Sequence, residues 1–244
     1  MGLEPELSKA AVRWPAVPSA RTSRLLALLD QLRDSERWGA DRLRDTQQTQ
    51  LESLFSHARQ HVPLYAQRLP NAVPQLGSAE WLRVPELTRD DLQQFRAELR
   101  AERVPAEHGR VAETRTSGST GQPVSVLRTS LNQLLWEAFT LREHLWHERD
   151  VSLSKAVIRA NGPRARPPEG RRFDGWGRPF DRLWPCGPAF ALDMTTDPAA
   201  QADWLRKIRP AYLLTYPSNL EALLDHFAER DAPPMLAVMC IGET

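Results

Sequence analysis

The residues best equipped for chemistry in this 244-residue chain are Thr114-Arg115-Thr116-Ser117-Gly118-Ser119-Thr120-Gly121-Gln122-Pro123. Four hydroxyls and two glycines fall within residues 116–121. Glycines let the backbone double back and present successive N–H groups, and the hydroxyls add donors beside them. Together they can cradle a polyphosphate. The run is not a Walker A loop, because no Gly-Lys-Ser/Thr follows and it lies between two expected strands instead of opening a helix. On composition alone, a plain Ser/Gly-rich hairpin tip is the simpler reading.

Two strand ends are the next places where chemistry could sit. Residues 211–215 and 235–241 are apolar runs that read as strands, separated by a helical pattern. Strand, helix, strand at this spacing is a βαβ unit, and hence implies a parallel sheet with helices packed on it. Ligands of such sheets bind beyond the carboxyl ends of the strands. Those ends are Tyr216-Pro217-Ser218 and Gly242-Glu243-Thr244. Gly242 allows a close backbone approach; an ordinary strand-to-helix turn accounts for the same residues equally well.

Other candidates are weaker. His144 and His147 lie three apart on an expected helix, but no third metal ligand accompanies them, so a packed or solvent-facing pair is the plainer reading. Cys186 and Cys240 have no motif spacing. Cys240 sits in an apolar strand and is expected to be a small buried hydrophobe. The Arg-, Pro- and Gly-rich residues 159–190 suggest no regular structure. A nucleic-acid reader could use such a stretch, but only three of the 32 basic residues are lysines, so the arginines read as a chain-wide compositional bias and the stretch as a solvated loop. The formal net charge of +1 favours neither nucleic acid nor membrane. No stretch approaches the roughly 18 apolar residues of a membrane span, and a soluble, cytoplasmic protein is expected.

The elements that would position these groups are legible in outline. Residues 1–23 read as an extended arm and residues 24–110 as a helical region. Leu25, Leu26, Leu28, Leu29 and Leu32 mark a first helix; Leu51, Leu54, Phe55, Ala58 and Val62 mark another, ended by Pro63. Thr88-Arg89-Asp90-Asp91 is an N-cap with an acid at the third helical position, opening a helix with Leu92, Phe95 and Leu99 on one face. Residues 111–127 form a strand–loop–strand pattern, Ser130 is expected to cap a long helix, and residues 156–158 form a buried strand. Asp197-Pro198 starts a helix that stops before Pro210. Ser218-Asn219-Leu220-Glu221 reads as a capping box, with Leu220, Leu223, Leu224 and Phe227 as the apolar face behind it. The fold class is therefore α/β: a mainly parallel sheet flanked by helices, with a helical N-terminal region.

The order of residues adds a resemblance. Thr-Ser-Gly-Ser-Thr-Gly-x-Pro resembles the phosphate-loop signature of the adenylate-forming superfamily of acyl-CoA synthetases. Val62-Pro63-Leu64-Tyr65, residues 84–92, Ile208-Arg209-Pro210 through Tyr216-Pro217-Ser218, and an apolar strand into Gly242-Glu243 follow in the order of its phenylacetate–CoA ligase-like branch, which includes capsule-biosynthesis and coenzyme F390 synthetase-type proteins. The likeness covers most of residues 50–244. It departs from the family after the second glycine, where Gln122 and Val124 stand and a lysine is common.

The resemblance implies two half-reactions: a carboxylate attacks the α-phosphorus of ATP to give an acyl-adenylate and pyrophosphate, and a thiol, usually coenzyme A, then takes the acyl group. It implies that Thr116, Ser117, Gly118, Ser119, Thr120 and Gly121 hold the β- and γ-phosphates, with Mg²⁺ bridging phosphate oxygens. Tyr216, Pro217 and Ser218 would line the acyl or nucleotide pocket, and Gly242, Glu243 and Thr244 would lie near the adenine. No catalytic base is assigned. It also implies that residues 111–244 are an incomplete AMP-binding α/β domain, that the family's ribose-binding acid, hinge and mobile lysine-bearing domain have no counterpart here, and that this chain alone is inactive as a ligase. The expected partners are a small carboxylic acid, ATP and coenzyme A. The alternative is a non-enzymatic remnant or interaction module keeping a vestigial phosphate loop.

Overall fold

A computed structural model describes residues 17–115, 124–160, 165, 169–227 and 231–242. The chain is a mixed α/β protein that divides into two compact units: residues 27–139, and residues 1–26 with 140–244.

The first unit is mostly helical. Helix α1 (Ala20–Ser35) begins within the stretch expected to be an extended arm, and the Ser19 and Thr22 hydroxyls hydrogen-bond across its first turn (3.0 Å). Helix α2 (Ala40–His61) buries Phe55 and Ala58, with Val62 buried just beyond its end, but Leu54 is 64% exposed. Of the predicted apolar stripe, Leu54 therefore lies off the packed face. Pro63 does not simply end α2: it is the first residue of α3 (Pro63–Arg68), where its missing N–H costs nothing. Helix α4 (Arg89–Gln94) starts at the expected box, with Asp91 N–H donating to the Thr88 hydroxyl (3.1 Å) and Thr88 N–H to the Asp91 carboxylate (2.9 Å). Arg68 pairs with Asp91 (2.7 Å). The guanidinium, followed by the Thr88 donors, holds this carboxyl below the usual carboxylate range. The helix ends at Gln94, too early to carry Leu99 on its face as expected.

Strands β1 (Val111–Arg115) and β2 (Ser125–Thr129) pair antiparallel as a separate two-stranded sheet, so the strand–loop–strand pattern holds but these strands do not join the parallel sheet. Helix α5 (Ser130–Trp146) follows at once. Its cap is Thr129, whose hydroxyl accepts from Asn132 N–H (3.1 Å); Ser130, the expected cap, instead donates its N–H to Arg110 O (2.9 Å) and closes the hairpin base.

The second unit is built on a five-stranded sheet of β3 (Lys155–Arg159), β4 (Arg171–Phe173), β5 (Ala189–Asp193), β6 (Tyr212–Thr215) and β7 (Ala237–Cys240), in the order β4-β5-β3-β6-β7. All pairs are parallel except β4 with β5. Strands β4 and β5 were not anticipated; both adjoin or lie within the stretch left without regular structure. Helix α6 (Pro198–Ile208) has Asp197 as its cap, accepting from Ala199 N–H (3.0 Å), and α7 (Pro217–Leu224) joins β6 to β7 as the βαβ pattern requires.

The register assigns the two faces of the sheet, because residues in register share a face and alternate along a strand. Ala156, Ile158, Phe190, Leu192 and Leu213 share one face. They form the core with Ala202, Trp204, Leu205 and Leu223 from α6 and α7. Val238 and Cys240 of the edge strand β7 lie on this same face, yet Val238 is 41% exposed and Cys240 is exposed too. Cys240 is thus not the buried hydrophobe expected. Leu224, at 60% exposure, also points away from the core its spacing suggested. Lys155 and Tyr212 occupy the opposite face. Among the described residues, no helix is long and apolar enough to cross a membrane.

Candidate functional site

The connections of the sheet identify a crevice. The chain leaves β3 toward β5, whereas it leaves β6 through α7 toward β7. Adjacent strands whose connections depart in opposite directions create a topological switch point, and ligands of open parallel sheets bind there, outside the carboxyl ends. Arg159 closes β3 at this end, and Thr215 closes β6.

Two sequence-predicted residues meet one strand over, at the carboxyl ends of β6 and β7. Gly242, just past β7, has φ +84°, and a Cβ added to it would come 3.1 Å from Tyr216 Cε1. The Tyr216 ring therefore lies against the Gly242 backbone, and Ile241 N–H donating to Thr215 O (3.0 Å) holds the two strand ends in step. Pro217 is the first residue of α7 and Tyr216 its cap, with no side-chain hydrogen bond. The capping box expected at Ser218 is therefore displaced: the helix starts earlier because proline fits the first helical position, where no N–H is needed. Glu243, Thr244 and the whole run Thr116, Ser117, Gly118, Ser119, Thr120, Gly121 lie outside the described residues.

A buried polar chain supports the crevice. Asn219 Nδ2 donates to Thr215 Oγ1 and to Gln201 Oε1, both at 2.9 Å, and Gln201 Nε2 donates to Thr196 O at 2.7 Å. Thr215 and Gln201 are fully buried. The network joins the end of β6, the first turn of α7, α6 and the turn after β5, so the backbone bearing Tyr216 is fixed from three sides. Sequence reading missed it. The signal was Asn219 and Gln201 standing among apolar helix positions, where a polar side chain needs a partner.

The opposite sheet face carries an ammonium without a carboxylate bonded to it among the described residues. Lys155 Nζ sits 4.4 Å from the Trp176 ring centroid and 5.5 Å from that of Phe180, and donates to Trp176 O at 3.4 Å. Burial pushes its pKa down to about 8, against the opposing pull of the Asp181 carboxylate. Burial likewise raises the Cys186 thiol to about 11, so it is held as the thiol, not as a thiolate nucleophile. His144 packs against Phe180 and Trp176, and burial, with Arg149 and Lys155 adding to it, drives its pKa down to about 4. His144 Nδ1 and His147 Nε2 both lie near the Glu143 carboxylate, at 3.4 and 3.8 Å, but among the described residues no group of three His, Cys, Asp or Glu side chains is placed to hold a metal ion. Lys155 and Tyr212 begin their strands, so this cluster lies toward the amino ends, away from the crevice.

No protein-family model matches the chain, and no curated protein matches it at a significant level.

Proposed function

We propose that this chain supplies the phosphate-binding loop and strand-end crevice of an ATP-dependent, carboxylate-activating ligase of the adenylate-forming, phenylacetate–CoA ligase-like kind. The observation that carries the reading is the Thr-Ser-Gly-Ser-Thr-Gly run connecting two antiparallel strands. The carboxyl ends of the parallel strands, with Tyr216 laid on Gly242 beside the switch point, add support from an independent part of the chain.

In this reading, the first step is an in-line displacement on phosphorus. A substrate carboxylate is already ionised at neutral pH, so no general base is needed. The protein's work is to position a crowded anion and stabilise its charge. Thr116, Ser117, Ser119 and Thr120 donate hydroxyl hydrogen bonds to the β- and γ-phosphates, and Gly118 and Gly121 let the backbone N–H groups turn inward. When bound with the nucleotide, Mg²⁺ would supply charge neutralisation for the pyrophosphate, and the loop's hydroxyls and backbone N–H groups would hold the phosphates. Gln122 and Val124 bring no cation to the loop, so neutralisation falls on the backbone and the metal. Tyr216, Pro217 and Ser218 wall the acyl or nucleotide pocket, with Gly242, Glu243 and Thr244 beside the adenine. Coenzyme A is the acceptor in the second step.

Replacing Ser119 and Thr120 together by alanine tests the assignment. Adenylate formation should slow by more than thiolysis of a supplied acyl-adenylate, because only the first step has a pyrophosphate to stabilise. Equal slowing of both steps would make the loop structural.

A further inference from the structure

A cavity of about 770 Å³ is lined wholly by residues of the helical unit. One face of the β1–β2 hairpin lines it: Val111, Glu113, Ser125, Leu127 and Thr129 are the register positions that share a face. Leu87, Leu92, Leu99 and Val104 form the apolar walls opposite. The frame is fixed by backbone hydrogen bonds that pin the 98–102 segment to the helices, Leu64 N–H to Glu98 O (3.0 Å) and Glu102 N–H to His61 O (2.8 Å). Val111 and Leu127 are each 39% exposed within this frame, so aliphatic surface faces a space that the described side chains do not fill.

Among the residues that line the cavity, charge is not balanced. Arg96 and Glu113 pair with each other, leaving Arg100 at the rim with no ion pair among the described residues; His57 and His108 also face the cavity. An aliphatic wall with a surplus guanidinium favours a molecule with an apolar body and one negative charge, and penalises the same body carrying a positive charge.

We propose that this cavity binds an amphipathic monoanion, with its alkyl chain against Val111, Leu127 and Leu99 and its anionic head at Arg100. The site is separate from the strand-end crevice and does not depend on the ligase reading.

The test uses the full chain without ATP or Mg²⁺. Octyl sulfate, octanol and octylamine share one tail and differ in head charge, and octyl sulfate cannot be adenylated. Titrations below the micellar range, followed by backbone amide shifts, should show octyl sulfate binding at least five-fold tighter than octanol and octylamine weakest, with shifts confined to the cavity lining in residues 57–65, 87–113 and 125–129. Arg100→Gln, an exposed substitution checked for unchanged circular dichroism, should remove most of the preference for octyl sulfate over octanol. Leu127→Asn should weaken octyl sulfate and octanol alike. Equal binding of the three amphiphiles, no saturable binding, shifts centred outside the cavity lining, or an unchanged preference in Arg100→Gln would each overturn the proposal. Because no nucleotide is present, its failure leaves the ligase reading untouched, and failure of pyrophosphate chemistry leaves this site untouched.

Discussion

Tyr216 lies against Gly242 so closely that a single added methyl at Gly242 would meet the ring at 3.1 Å. Gly242 also has a left-handed backbone, with φ +84°. Gly242→Ala is thus penalised twice, by the backbone and by the ring. It should lower unfolding stability by about 1–2 kcal/mol, the usual cost of left-handed backbone for an L-residue. Urea denaturation measures this directly. Tyr216→Ala in the Gly242→Ala background should recover only the steric part, since the φ strain remains. Full recovery would mean the backbone can relax and that the left-handed turn is not required.

The Thr215–Asn219–Gln201 chain predicts strong coupling. Asn219→Ala removes the donor to two buried oxygens and should cost about 1–3 kcal/mol, the penalty for stranding buried polar groups. Adding Gln201→Leu to Asn219→Ala should cost less than the two single changes summed, because the stranded Gln201 Oε1 is removed with its residue. Additive losses in a double-mutant cycle would show that these hydrogen bonds act independently.

Lys155 and His144 make stability rise with pH in two windows. The folded Lys155 has a pKa of about 8 against an ordinary 10.5, so between those values the unfolded chain holds a proton that the folded chain has lost. Stability therefore rises as pH climbs from 8 to 10.5. His144, at about 4 against an ordinary 6.5, gives the same sign lower down: stability falls as pH drops from 6.5 toward 4. Lys155→Met should raise the melting temperature at pH 7 and flatten the upper window, with a gain on the order of 1–3 kcal/mol at neutral pH. A destabilised Lys155→Met at pH 7, with wild-type stability falling instead of rising toward pH 10.5, would show that the ammonium's contact with Trp176 outweighs its desolvation.

The sequence carried some elements clearly and others not at all. The Thr88 box was legible because its hydrogen bonds are local, closing within four residues. Strands β6 and β7 were legible because an apolar run, a helix and a second apolar run leave few topologies. Strand β5 was not, because Ala189-Phe190-Ala191-Leu192-Asp193 has no polar–apolar alternation and follows the Pro- and Gly-containing residues 185–188; it is a strand because it pairs with β3 on one side and β4 on the other. Burial of Cys240 was misjudged for a similar reason: apolarity says nothing of whether a helix reaches far enough to cover it. Of the candidate site, Tyr216 and Gly242 were marked by their place at strand ends and the structure brings them together, while the buried Asn219–Gln201 support depends on tertiary pairing that spacing does not reveal.

The most direct measurement of the central claim is exchange of labelled pyrophosphate into ATP, with the protein expressed from its complete reading frame and offered a panel of aryl, fatty and amino acids with Mg²⁺. Exchange that requires one class of carboxylate and falls at least ten-fold in the Ser119→Ala, Thr120→Ala variant is the predicted result. Absence of exchange with every acid, or exchange indifferent to the loop substitutions, would contradict the assignment of this chain to carboxylate activation.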